Sequence, residues 1–174
     1  MKKDPVSFSK KAALNGLFIA LAIILSYVES LIPVPFFIPG MKLGLANLAV
    51  MCALYLFDAK CAALVSLLRI IIIFLLFGNV TSLIFSLSGG MFSLLIMILL
   101  FKSRSFKTVT LSAVAGISHN LAQMLAALFV VKAVSFVRYT AILWFAGLLA
   151  GLVTGALCGV IINRIKKYGI DQKI

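Results

Sequence analysis

Long apolar runs alternate with short polar breaks from about residue 12 to residue 164. The runs are continuous, without the strict alternation of half-buried strands, and several approach the roughly 20 residues that cross a bilayer as a helix. They predict six spans, at about Ala12–Ile32, Leu43–Phe57, Ala59–Phe77, Val80–Phe101, Lys107–Val131 and Tyr139–Arg164. The second span is short, and the turn after it, Asp58-Ala59-Lys60, is tight; the break at Gly78-Asn79 is tighter still. A transmembrane β-barrel would need short alternating segments, which are absent. No soluble domain, long linker or low-complexity tract interrupts the pattern, so residues 1–174 read as a single transmembrane domain. The expected fold class is all-α, an integral membrane bundle of six transmembrane helices.

Composition agrees with the pattern: 64% of residues are hydrophobic, against about 45–50% in soluble domains. The net charge of +12 invites a nucleic-acid partner, but its placement argues for none. Lys2, Lys3, Lys10 and Lys11 precede the first span, Lys102, Arg104 and Lys107 lie between the fourth and fifth, and Arg164, Lys166, Lys167 and Lys173 follow the last. With both termini inside, these and Lys60 put twelve bases on the inner side, against three outside: Lys42, Lys132 and Arg138. That asymmetry predicts cytoplasmic termini in a multi-pass protein of the bacterial cytoplasmic membrane, with some attraction to anionic lipid heads. The first run is too long for the apolar core of a cleaved signal peptide. Cys52, Cys61 and Cys158 lack CxxC spacing and lie in apolar surroundings; they read as buried thiols, with no metal site or disulfide framework implied.

Small residues recur at intervals of four on two spans. Ala12, Gly16 and Ala20 line the first, and Gly147, Gly151, Gly155 and Gly159 line the sixth. In lipid such stripes let helix backbones approach closely. For the sixth span the reading is packing inside the bundle; for the first, packing and docking on another membrane subunit are both open. Glu29, nine residues after Ala20, falls on the opposite side of the first helix at about 100° per residue. One face is therefore smooth and another carries a carboxylate near the outer end.

Polar groups inside spans are the candidate chemistry. Glu29 is the only acid within a span, and Arg69 lies near the middle of the third. Charges at that depth are costly unless paired or hydrated, so they mark either a site or a structural Glu29–Arg69 salt bridge. On the fifth span Ser112, Gly116, His119, Asn120 and Gln123 share an arc of about 100°. Three adjacent hydrogen-bonding side chains each need a partner in hydrocarbon, and a polar cavity supplies one as well as interhelical bonds do. On the fourth span Ser82, Ser86, Gly89, Gly90 and Ser93 share another narrow arc, where the double glycine admits a neighbouring backbone or lines a pocket.

The stretch IPVPFFIPGMKLGLANLAV, residues 32–50, looks built to hold something. Its prolines reduce the entropy lost when a loop orders over a ligand. Lys42 and Asn47 offer a charge and an amide at the outer end of the second span. With Glu29, Arg69, His119, Asn120 and Gln123 they form the expected ligand-binding set. Its cations outnumber its one carboxylate, which favours a small anionic or strongly polar solute entering from outside. No phosphate-binding GxxxxGK[ST], HExxH, GxSxG or aspartate-rich magnesium cluster is present. No enzyme activity, cofactor or ATPase of its own is expected.

PGMKLGLANL (39–48), SLSGGMFSL (86–94) and GISHNLAQ (116–123) together resemble a bacterial membrane family labelled heptaprenyl diphosphate synthase component I, or Gx transporter family. The resemblance covers nearly the whole chain. That family is similar to the substrate-binding S components of energy-coupling factor transporters. The resemblance implies a six-helix bundle with cytoplasmic termini and a ligand pocket near the outer face. It also implies partners: a transmembrane coupling subunit that joins two ATPase subunits. Ala12, Gly16 and Ala20 match the small-residue docking pattern of the first helix, with glycine in place of one alanine. The synthase label fits the residues poorly, since prenyl diphosphate synthesis needs magnesium-bound aspartates. The rival expectation is a non-catalytic accessory to isoprenoid or quinone metabolism or to extracellular electron transfer.

Overall fold

A computed structural model describes residues 8–31, 44–130 and 140–167. These residues form six helices: α1 (Phe8–Leu31), α2 (Leu45–Leu56), α3 (Ala59–Phe77), α4 (Val80–Ser103), α5 (Thr108–Phe129) and α6 (Thr140–Lys167). No strand occurs among the described residues. The apolar runs therefore become helices within a few residues of the sequence-based limits.

Five helices are long and apolar enough to cross a membrane, which makes this a multi-pass membrane protein. The second is the exception. Its 12 residues rise only about 18 Å, short of a bilayer's hydrocarbon. Gly44 precedes it with φ 74°, a left-handed turn that glycine enters without steric cost. The helix thus starts two residues later than the apolar pattern suggests.

Local signals set the other boundaries. Asp58 caps α3 by accepting the Cys61 N–H at 2.7 Å, and Asn79 caps α4 by accepting the Ser82 N–H at 2.8 Å. Both satisfy amides that a helix start leaves unpaired, so two tight turns join three helices.

The short helix is the core element. It packs on α1, α3, α6 and, more lightly, α4, while α3, α4, α5 and α6 pack in sequence around it. Ala46 and every residue from Ala49 to Leu54 are buried. The outward faces of the other helices stay apolar: Leu17, Leu75, Phe145, Val153 and Val160 are exposed, as lipid-facing side chains are.

The glycine stripe of the last helix is resolved as internal packing. A Cβ on Gly147 would lie 2.6 Å from the Gly116 carbonyl oxygen, one on Gly151 2.5 Å from that of Ser112, and one on Gly155 2.8 Å from Val109 Cα. Such distances exclude any side chain, so α5 and α6 touch backbone to backbone. Gly159 is looser, with only Thr108 Oγ1 at 4.0 Å. The cysteines are free and buried, as expected, with Cys52 Sγ 3.3 Å from Cys158 Sγ.

Candidate functional site

The polar residues of α3 and α5 meet the backbone of α4 from two sides. Gly89 and Gly90 make this possible. A Cβ on Gly89 would stand 2.8 Å from His119 Nε2 and 2.8 Å from Gln123 Cγ. A Cβ on Gly90 would stand 2.9 Å from Ile70 Cδ1, 3.6 Å from an Arg69 terminal nitrogen and 3.9 Å from Ser66 Oγ. The bare backbone of α4 is thus a saddle. Imidazole and amide lie against one flank, guanidinium and hydroxyl against the other.

His119 is held at both ring nitrogens. Gln123 Nε2 lies 3.0 Å from Nε2, and Ser93 Oγ lies 3.4 Å from Nδ1. Ser93 O–H donates to the Gly90 carbonyl at 3.1 Å, so its oxygen is left to accept from Nδ1–H. Gln123, His119 and Ser93 thus form one polar chain that ends on the α4 backbone, with the direction of its donors set by the imidazole tautomer. His119 is 7% exposed and Gln123 6%.

The arc on α5 divides into two edges. His119 and Gln123 face α4, as above. Ser112, Gly116 and Asn120, spaced by four, face α6. Asn120 Nδ2 donates to the Leu143 carbonyl at 2.6 Å, and Ser112 Oγ lies 3.0 Å from Thr154 Oγ1. Interhelical bonding therefore accounts for part of the polarity that also suggests a cavity.

A cavity does exist between α2, α4, α5 and α6, with Asn47, Met51, Met97, His119, Asn120 and Thr154 among its lining. It measures about 20 Å³, room for about one water and far below the several hundred Å³ of a small-molecule pocket. Asn47, His119 and Asn120 line it together, while Arg69, Glu29 and Gln123 are not among its lining.

Glu29 and Arg69 close the belt from α1 and α3. Both are buried, at 9% and 8% exposure. Glu29 Oε1 accepts the Gly44 N–H at 2.7 Å, tying the end of α1 to the entry of α2. Arg69 Nε is buried without a hydrogen-bond partner, the one such side-chain atom among the described residues. The salt bridge that the sequence admits is thus not what satisfies this nitrogen. An unmet donor of a buried cation is costly, and an incoming acceptor would relieve it.

Lys42 lies outside the described residues. Ala12, Gly16 and Ala20 are all exposed, and a Cβ on Gly16 would meet nothing within 4 Å. Among the described residues nothing covers the smooth face of α1, while Glu29 is buried on the opposite face, as the helical spacing predicts.

Sequence reading missed several participants. Ser66 precedes Arg69 by one turn on the same face, and that i, i+3 spacing is a usable signal. Thr154, between Gly151 and Gly155, stands out as the polar residue in an apolar span. Met51 and Met97 carry no such mark; only packing reveals that they line the cavity.

A family model described as heptaprenyl diphosphate synthase component I matches residues 18–161, and the chain belongs to that family. No curated protein and no solved structure matches it.

Proposed function

We propose that this member of the heptaprenyl diphosphate synthase component I family is a membrane solute-binding subunit of the energy-coupling factor type. It takes a small anionic or strongly polar solute from the outer face of the cytoplasmic membrane and catalyses no reaction. The observation that supports this reading is the set of buried polar side chains at membrane depth: Asn47, His119 and Asn120 line one cavity, Gln123 bonds His119, Glu29 accepts the amide before α2, and Arg69 is buried on α3. Arg69 Nε remains unmet within it. Helix starts and buried cations both favour negative charge, and polar groups at membrane depth mark solute paths by default.

Two further features support the reading. The charge asymmetry of the sequence favours cytoplasmic termini, so the start of α2 faces outward. The exposed stripe Ala12, Gly16 and Ala20 suits docking on a transmembrane coupling subunit, which in turn engages two ATPases. Lys42, in the segment between α1 and α2, is proposed to join the site as a second cation.

The test has two arms. Native mass spectrometry of the purified protein identifies a co-purified solute, and tracer uptake of that solute is then measured in cells carrying Arg69→Ala. Loss of uptake at normal expression, with co-purification of coupling and ATPase subunits, supports the reading. Unimpaired uptake removes Arg69 from the site.

A second reading is a non-catalytic accessory to isoprenoid or quinone metabolism. The family description and the small volume of the cavity, about 20 Å³, favour it. Altered quinone chain length in a deletion strain, with uptake unchanged, selects it.

A further inference from the structure

We infer that the cavity between α2, α4, α5 and α6 is a subsite for a neutral hydroxyl. It holds a water in the unloaded protein and the leading hydroxyl group of the solute in the loaded one. The solute part of this inference rests on the binding-subunit reading and names the chemistry that enters deepest.

The lining groups commit their hydrogens to protein acceptors but not all of their oxygens. Thr154 Oγ1 donates to the Ala150 carbonyl at 2.8 Å, so its 3.0 Å contact with Ser112 is the Ser112 hydroxyl donating to Thr154. A hydroxyl has one hydrogen and two lone pairs, so both oxygens can still accept. Asn120 Nδ2 donates to the Leu143 carbonyl at 2.6 Å, which decides which end of the amide is oxygen. Asn120 is only 2% exposed, yet its Oδ1 accepts no hydrogen bond among the described residues. Nor is that oxygen sealed off, since Arg69 Nε is the one sealed side-chain atom without a partner among those residues. Asn120 lines the cavity, so the oxygen opens on it.

Charge and size narrow the occupant. The lining holds no aspartate, glutamate, lysine or arginine, and both ring nitrogens of His119 are engaged by Gln123 and Ser93. Oxygen acceptors without a countercharge repel an anion, and they leave a cation buried and unpaired. A neutral donor is what remains. At about 20 Å³ the space admits one heavy atom with its hydrogens, which is a water or a hydroxyl. Asn47 on α2 adds an amide that can donate to that oxygen or accept from it. Met51 and Met97 supply apolar walls. An anionic group elsewhere on the solute stays outside this subsite.

The experiment uses the full chain, labelled with heavy carbon at the methionine methyls, in nanodiscs of phosphatidylcholine. Nuclear Overhauser transfer from water to the Met51 and Met97 methyls is measured, with Met91, on the exposed side of α4 and outside the cavity, as control. Methanol is then titrated against acetonitrile, which is equally slim but has no hydrogen-bond donor. The wild type is expected to show water transfer at both cavity methyls. Methanol should shift both saturably and remove the transfer, and acetonitrile should do neither. Ser112→Ala combined with Thr154→Val removes two acceptors and both members of one hydrogen bond, so no partner is left unpaired and the fold is expected to hold. In that variant the methanol response should weaken about tenfold, as loss of two hydrogen bonds predicts. No water transfer in the wild type, equal responses to methanol and acetonitrile, or a methanol response unchanged in the double variant overturns the proposal. Water transfer that methanol does not remove also overturns it and leaves a fixed structural water. If the double variant does not fold, the comparison of the two probes on the wild type decides alone. The readout needs neither transport nor a coupling subunit, so its failure leaves the uptake test intact.

Discussion

Alanine at Gly151 tests the backbone-to-backbone contact between α5 and α6. The new methyl would lie 2.5 Å from the Ser112 carbonyl oxygen, 2.7 Å from Ala113 Cα and 3.0 Å from Ala113 N. All three are backbone atoms, so no side chain can rotate away. Restoring normal contact requires α5 and α6 to part by about 1 Å. That stretches the Ser112–Thr154 bond from 3.0 Å and the Asn120–Leu143 bond from 2.6 Å. Each lost bond costs about 0.5–1.5 kcal/mol, in addition to roughly 1–3 kcal/mol of overpacking. The helix preference of alanine over glycine returns at most about 1 kcal/mol. The expected net loss is about 1–5 kcal/mol, shared between overpacking and the two bonds. Gly159→Ala is the control, because its nearest neighbour would be Thr108 Oγ1 at 4.0 Å. It should be neutral or slightly stabilising. The assay is reversible unfolding in mixed micelles with increasing dodecyl sulfate, followed by circular dichroism and by fluorescence of Trp144, the only tryptophan. If the two variants unfold at the same dodecyl sulfate fraction, the backbone contact is not what holds α5 to α6.

Three further outcomes are expected. Gly89→Ala crowds His119 Nε2 and Gln123 Cγ at 2.8 Å and breaks the 3.0 Å His119–Gln123 bond; nitrogen NMR of the single histidine should report a changed tautomer balance. Gly90→Ala meets the rotatable Ile70 Cδ1 at 2.9 Å and should leave that spectrum as it is; identical spectra for both variants would remove the saddle. Asp58→Ala deletes the cap on Cys61 N and should cost about 1 kcal/mol in the same micelle titration, with Asp58→Asn recovering most of it. Gly16→Leu adds a side chain where nothing lies within 4 Å, so the unfolding curve should not move, while co-purification with the coupling and ATPase subunits is lost. Retained co-purification would show that this stripe is not the docking face.

The apolar runs determined the helices, because in hydrocarbon each backbone amide must be satisfied within its own segment. The tight breaks at Asp58-Ala59-Lys60 and Gly78-Asn79 were legible as turns, and the structure adds that Asp58 and Asn79 cap the helices that follow. The spacing of Ala20 and Glu29 around one helix fixed their opposite faces, since helical geometry is local. The likeness of three short motifs to one family was also legible, and the family match agrees with it.

The tertiary structure decided what those residues meet. Hydropathy could not tell a span from a core helix of 12 residues, since both are apolar throughout. The arc on α5 was visible as one polar face, yet whether its members serve a cavity or a neighbouring helix depends on where α4 and α6 lie. Asn120 reaches a carbonyl of α6, and His119 reaches a serine of α4. Glu29 and Arg69 invited a salt bridge by composition alone. Long-range packing instead gave Glu29 the Gly44 amide and left Arg69 Nε unmet, because pairing between distant segments is set by shape as well as charge.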